Sequence, residues 1–437
     1  MTVARRSILR SAALLGAAVP LASCTTGRRG RGTDPTEPST TPPPEDPDET
    51  LVIGSIGVSS GLFSTFEKHI MLAIGEARTD VNIAGGVFGR DVTLLERVVV
   101  DAPGADIAPA IAALRDQGAT AIITSCSDES LIAAVPAFVD AGIAVVSVNS
   151  TARDLRADEV ETEGMLMRIS PTDACLAKVF SDAAWNAQPP LAAGTLAFFG
   201  RDTMGSASLA EELRLRLEPQ GGHLIRTLFP EGAPDVGAPV DALMTAPPAL
   251  VVIDAGDETP QIVTAIATKS VDPDGRPMFD IPLRTTYYNT RSWGQQVPPE
   301  SLKHATGCRP GIPAPDELVN TMLNVDTSLA TSGFEFAGAA YDAVVLIALA
   351  AQAARSTEGS QIAAALPSLL TDGEEVADHA TGLRQLAAGA QIRYVGRSGP
   401  IELGDDQDPV TIDLTDVPYD DAGQMGAPSD STIDLSS

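Results

Sequence analysis

Hydroxyl and amide side chains crowd three short stretches, each of which follows an apolar run. Ser59, Ser60 and Ser64, with Phe66, follow 51–56; Ser125, Ser127 and Ser130 follow 120–124; Asn149, Ser150 and Thr151 follow 143–148. Each stretch stands just before a helix or turn, where hydroxyls and free backbone N–H groups suit a carboxylate without a permanent cation. Ser and Thr also serve as plain helix caps, so the reading rests on the set and not on any one residue. Covalent chemistry is a second use of the same atoms. Gly57-Val58-Ser59-Ser60-Gly61 matches the G-x-S-x-G nucleophile elbow, after a strand and before a helix. That elbow belongs to a middle strand, not the first. None of His69, His223, His304 and His379 stands in order with an acid. A serine esterase built on Ser59 is therefore a remote alternative. H-E-x-x-H, C-x-x-C and G-x-G-x-x-G are all absent, so no metal, nucleotide or other cofactor is expected.

The elements that must position these loops alternate. Phe66, Ile70, Ala73, Ile74 and Ala77 recur at helical spacing after the first strand. A strand at 92–100, a helix at 105–117, a strand at 120–124, a helix at 129–140 and a strand at 143–148 follow. The pattern pauses over 151–167 and restarts. Helices at 174–187, 206–217, 236–244 and 259–269 then alternate with strands at 195–199, 223–229 and 250–253. Such alternation implies parallel βαβ units with right-handed crossovers, and two sets imply two lobes. Beyond Pro282 the helices at 336–354 and 361–370 come with too few strands for a third domain, so they are expected to return to the first lobe.

Composition narrows the class. About 385 residues past the leader exceed one ordinary core. The net charge is −29, and six of the 29 Lys and Arg lie in the first 31 residues, so the body is strongly acidic. An acidic body without a basic stripe excludes nucleic acid as partner. Residues 1–23 read as a signal peptide: Arg5 and Arg6, then an apolar run too short to span a membrane. Leu21-Ala22-Ser23-Cys24 resembles a bacterial lipobox, whose cysteine takes a diacylglycerol; Ala4 to Arg10 also resembles a twin-arginine signal. Residues 24–50, with Pro42-Pro43-Pro44, hold almost nothing to bury and read as a disordered tether. No later run reads as long and apolar enough for a second span. Cys126, Cys175 and Cys308 are an odd number and cannot all pair within the chain. The acidic end, 421–437, reads as a disordered tail.

A family resemblance now emerges from several motifs in order. Leu51-Val52-Ile53-Gly54 with Ser60-Gly61 looks like a first strand and ligand loop. Asn82-Ile83-Ala84-Gly85-Gly86-Val87-Phe88-Gly89-Arg90 matches an N-x-A-G-G-x-x-G-R turn, in which paired glycines end a helix. Asp101, the stretch from Ser147 to Thr151, Arg168-Ile169-Ser170-Pro171 with Asp173, and Gly399-Pro400-Ile401-Glu402-Leu403 complete the series. Together they resemble the type I periplasmic binding proteins, in the leucine/isoleucine/valine-binding branch. The resemblance implies an α/β fold of two Rossmann-like lobes with parallel sheets and a three-crossover hinge. Lobe one would be 51–169 and 285–398, lobe two 170–284 and 399–420, with the ligand between them.

The resemblance also implies a function: an extracytoplasmic, lipid-anchored, monomeric binding protein that captures a small polar ligand, an amino acid or a relative, for the permease subunits of an ABC importer. A ligand-sensing or degenerate binding module of the same fold is the alternative. No catalysis is implied. Ser60, Ser127, Ser130, Ser150 and Thr151 would meet the ligand from lobe one, with Phe66 where a tyrosine is usual. Lobe two departs from the pattern: Met204-Gly205 replaces Tyr-Gly, and Tyr287 falls where an acidic residue usually pairs with the ligand ammonium. Asp254 and Asp257 could replace that carboxylate, although loop acids in so acidic a chain are more often only solvated.

Overall fold

The computed structural model describes residues 47–435 apart from 188–190, 275, 277, 279, 332 and 333. The leader, Cys24 and the tether up to residue 46 lie outside the described residues.

Two mainly parallel sheets organise the chain. The first holds β1 (Val52–Val58), β2 (Thr93–Leu94), β3 (Val98–Val100), β4 (Ala121–Thr124), β5 (Ala144–Ser147) and β6 (Leu166–Arg168). Their order is β2-β1-β4-β5-β6, with β3 also on β1, and every pairing is parallel. The chain then builds most of a second sheet from β7 (Ala192–Arg201), β8 (His223–Phe229), β9 (Pro248–Asp254), β10 (Leu283–Thr285) and β11 (Ala305–Pro310). It returns to the first lobe with a small parallel pair, β12 (Glu374–Val376) and β13 (Ile392–Tyr394). A last passage adds β14 (Ile401–Leu403), β15 (Pro409–Pro418) and β16 (Ser429–Asp434) to the second sheet, where they pair antiparallel. Three crossings between two sheets result, as the resemblance implied.

Local chemistry explains most elements. β4 and β5 are buried along their whole length, as strands covered on both faces must be. The helix Glu67–Ile83 buries Ile70, Ala73, Ile74, Ala77 and Val81, the stripe that the spacing predicts. In the turn that follows, Gly86 has φ 68°, and an added Cβ would meet the Arg90 carbonyl oxygen at 1.8 Å. Asn82 pins that turn, donating from Nδ2 to the Val92 carbonyl at 3.2 Å and accepting the Val92 N–H at 2.7 Å.

Several expectations need correction. The strand at 92–100 is two short strands on the same partner, β1. The helix at 129–140 is two, Asp128–Ala133 and Val135–Ala141, broken where Pro136 has no N–H to bond back into the preceding turn. The helix Ala337–Ala354 is long and apolar enough to cross a membrane, contrary to the sequence reading. Its side chains are instead buried from Ala337 to Gln352, as in a core helix. Lobe two does not end at 284: β11 pairs with both β10 and β15, so the return to lobe one follows Pro310. Ala305–Pro310 reads ATGCRP, too short and mixed to announce a strand. The tail is not structureless either. β16 pairs with β15 from Thr411 to Asp416, because an edge strand needs backbone groups more than apolar side chains. Cys126, Cys175 and Cys308 are free and buried.

Candidate functional site

Between the two sheets lies a cavity of about 300 Å³. Lobe one lines it with Val58, Ser60, Phe63, Ser127, Asp128 and Glu129, among others, from loops at the C-terminal ends of β1 and β4. Lobe two lines it with Arg201, Asp202, Thr203, Ser206, Glu231 and Tyr288, mostly from the ends of β7 and β8 and the loop after β10. Carboxyl ends of parallel strands are where open α/β sheets take ligands. A further cavity of about 210 Å³ lies at the crossing segments, walled by Pro171, Ile312, Phe336 and their neighbours. None of the sequence-predicted site residues lines it.

The lobe-one loops are tightly built. Ser60 Oγ donates to the Asp101 carbonyl at 2.5 Å. Ser59 Oγ donates to the Val100 carbonyl at 3.3 Å, the contact of a loop hydroxyl and not of a nucleophile with its base. Ser127 caps the Asp128–Ala133 helix by accepting from Ser130 N at 3.4 Å, and it also accepts the Gly104 N–H at 3.0 Å. Asn149 Nδ2 donates to the carbonyls of Ser125 and Cys126, both at 3.1 Å, and so ties the second and third loops together. Ser130, Ser150 and Thr151 are buried behind the cavity wall and are not among its lining residues.

Lobe two meets these loops directly. Met204 opens the helix Met204–Leu217, and its backbone N–H donates to Glu129 Oε1 of lobe one at 2.8 Å. The Met204 side chain lines a separate surface depression with Arg153 and Ala207. Arg153 N donates across the lobes to Ser208 Oγ at 3.0 Å. Arg201 Nη2 reaches Glu258 Oε2 at 3.0 Å and its Nη1 reaches Glu231 Oε1 at 2.8 Å. Asp254, at the end of β9, accepts from Ser206 Oγ and Thr286 Oγ1, each at 2.5 Å. It therefore fixes Ser206 from behind the cavity.

The remaining sequence candidates have other places. Asp257 is exposed and pairs with Arg291. Phe66 is buried against Phe336, with ring centroids 5.2 Å apart. Tyr287 is buried against the same Phe336 at 6.1 Å. Its neighbour Tyr288 is the tyrosine that lines the cavity, edge-on to Phe63 at 4.8 Å. Sequence reasoning missed Phe63, Asp128, Glu129, Arg201, Glu231 and Tyr288. Asp128 and Glu129 could have been found, since they follow the cap Ser127 directly and acids favour a first helical turn. Arg201 and Glu231 belong to different loops, and no local pattern joins them.

Burial sets the electrostatics. It pushes the Asp128 carboxyl up to about 6, with Arg168 and Ser150 opposing the rise. It pushes Asp173, at the start of the helix Asp173–Trp185, up to about 8; Ser208 opposes, while Asp128 and Asp254 add repulsion. Asp254 also rises through burial. Among the described residues no group of three or more His, Cys, Asp or Glu stands in metal-holding geometry.

A sequence profile of the family described as "Periplasmic binding protein" matches residues 50–391. No curated protein matches this chain by sequence. Among solved structures the chain is similar to a leucine-binding protein from Thermotoga maritima, with 16% identity, TM-score 0.64, and coverage of 89% of this chain and 99% of that one. It is similar to the branched-chain amino acid transporter substrate-binding protein of Streptococcus pneumoniae in complex with isoleucine, with 17% identity, TM-score 0.60 and coverage of 88% and 100%. It is also similar to an ABC-transporter solute-binding protein from Rhodopseudomonas palustris in complex with p-hydroxybenzoic acid, with 15% identity, TM-score 0.63 and coverage of 89% and 98%.

Proposed function

The chain belongs to the periplasmic binding protein family, a family of binding proteins and not of enzymes, and we propose that it captures a small polar solute for an ABC importer. The observation that carries this reading is the cavity itself: it is amino-acid-sized, lined by both polar and apolar side chains, and walled by loops from both sheets. Solute docks on the lobe-one loops; lobe two swings over it, and Glu129 accepts the Met204 N–H as the halves meet. No bond to the solute is made or broken. A micromolar Kd would need about 8 kcal/mol, within reach of several hydrogen bonds in an enclosed cleft. Lipidation at Cys24, followed by the tether, would hold the monomer on the extracytoplasmic face beside its permease.

The test is a thermal-shift panel of amino acids, amides, urea, short peptides, amines and aromatic acids. A true ligand raises Tm progressively with concentration, as mass action requires. A panel without any such rise argues for the degenerate module instead.

A further inference from the structure

The strongest anion-receiving groups at the cleft are already engaged by the chain. Arg201, the one basic residue among those lining the cavity, is held by Glu258 and Glu231. The N-terminus of the 14-residue helix Met204–Leu217 gives its first N–H to Glu129 from the opposite lobe. The free N–H of Gly104 goes to Ser127. A carboxylate entering the cleft would find these donors taken and would meet Asp128, Glu129, Asp202 and Glu231, four carboxyl groups against one guanidinium.

The acids that line the cleft outnumber its basic groups. Asp128 is 5% exposed and lines the cavity, and its carboxyl group accepts from the Ser150 hydroxyl and the Ala152 backbone N–H but from no cationic donor. The nearest guanidinium, Arg168, is committed to Asp408. A carboxylate this buried is expensive unless positive charge reaches it. The cavity lining also offers the rings of Phe63 from lobe one and Tyr288 from lobe two, whose faces attract a cation and whose carbon surface accepts its apolar part. The acids do not stand in metal-holding geometry, so the donor required is an organic one.

We infer that the cleft selects a small organic cation carrying an amine, guanidinium or quaternary ammonium group, with Asp128 meeting the charge and Phe63 and Tyr288 covering the apolar part. The inference rests on the solute-capture reading and narrows its substrate class, setting this chain apart from the amino-acid and hydroxybenzoate complexes to which its fold is similar.

Titration calorimetry of the whole chain with agmatine, choline, leucine and benzoate at equal ionic strength tests it. The expected result is one-to-one binding of a cation, at least about tenfold tighter than leucine or benzoate. Asp128→Asn should weaken that cation by roughly tenfold or more, and Asp202→Asn, an exposed change that spares the fold, by a few-fold. Tighter binding of leucine or benzoate overturns the cation assignment and leaves solute capture standing. Cation affinity unchanged in both variants overturns it too, because the cation would then sit elsewhere. No binding of any probe at about 10 mM counts against both readings.

Discussion

Two ionic clusters built around buried side chains have inverted composition. At the hinge one carboxylate, Asp408, sits between two guanidinium groups, Arg168 at 2.7 Å and Arg156 at 3.0 Å. At the cleft one guanidinium, Arg201, sits between two carboxylates, Glu258 and Glu231. The hinge cluster joins lobe one to the turn between β14 and β15, so it is a staple across the crossing strands. The cleft cluster lies wholly within lobe two and staples nothing to lobe one. It pairs the one guanidinium among the residues that line the cavity. Similar chemistry thus serves architecture in one place and, on the proposed reading, selectivity in the other.

Breaking the hinge cluster should have the largest effect. Asp408→Ala leaves two guanidinium groups facing each other with little water, and should lower stability by about 3–5 kcal/mol in urea unfolding. Glu258→Gln comes next. Glu258 accepts from Arg201 and from the N–H groups of Gly232 and Gly256. Its loss of charge should lower stability by about 1.5–3 kcal/mol and, by releasing Arg201, should improve benzoate binding in calorimetry.

A pH effect follows in size. Asp173 and Asp128 rise to about 8 and about 6, above the usual 3.8, so the folded chain keeps protons that the unfolded chain has lost. The stability linked to those protons is full below about pH 4 and is lost as pH climbs through the two folded values. Melting curves should therefore show Tm falling toward pH 8. Asp173→Asn, neutral throughout, should fall less steeply. The smallest effect belongs to the interlobe contact. Glu129→Gln should leave Tm nearly unchanged but should weaken ligand binding by up to about tenfold, because closure loses one charge-assisted hydrogen bond.

Much of the fold was legible because its signals are local. The apolar runs of β4 and β5, the stripe of the Glu67–Ile83 helix and the paired glycines at 85 and 86 all specify their geometry within a few residues. β11 and β16 were not, since their strand character comes from neighbours far along the chain. The site divides in the same way. Of the residues the loop pattern singles out, Ser60 and Ser127 line the cavity, whereas Asp257 and Phe66 do not. The pairing of Arg201 with Glu231 and Glu258, and of Glu129 with Met204, depends on loop placement that no spacing encodes.

The central claim is that one small solute is gripped by both lobes at once. Hydrogen exchange measured by mass spectrometry, with and without a saturating ligand from the panel, tests it most directly. The account predicts simultaneous slowing in 58–63 and 127–129 of lobe one and in 201–206 and 231 of lobe two. Slowing confined to one lobe, or confined to the cavity at the crossing segments, would contradict it.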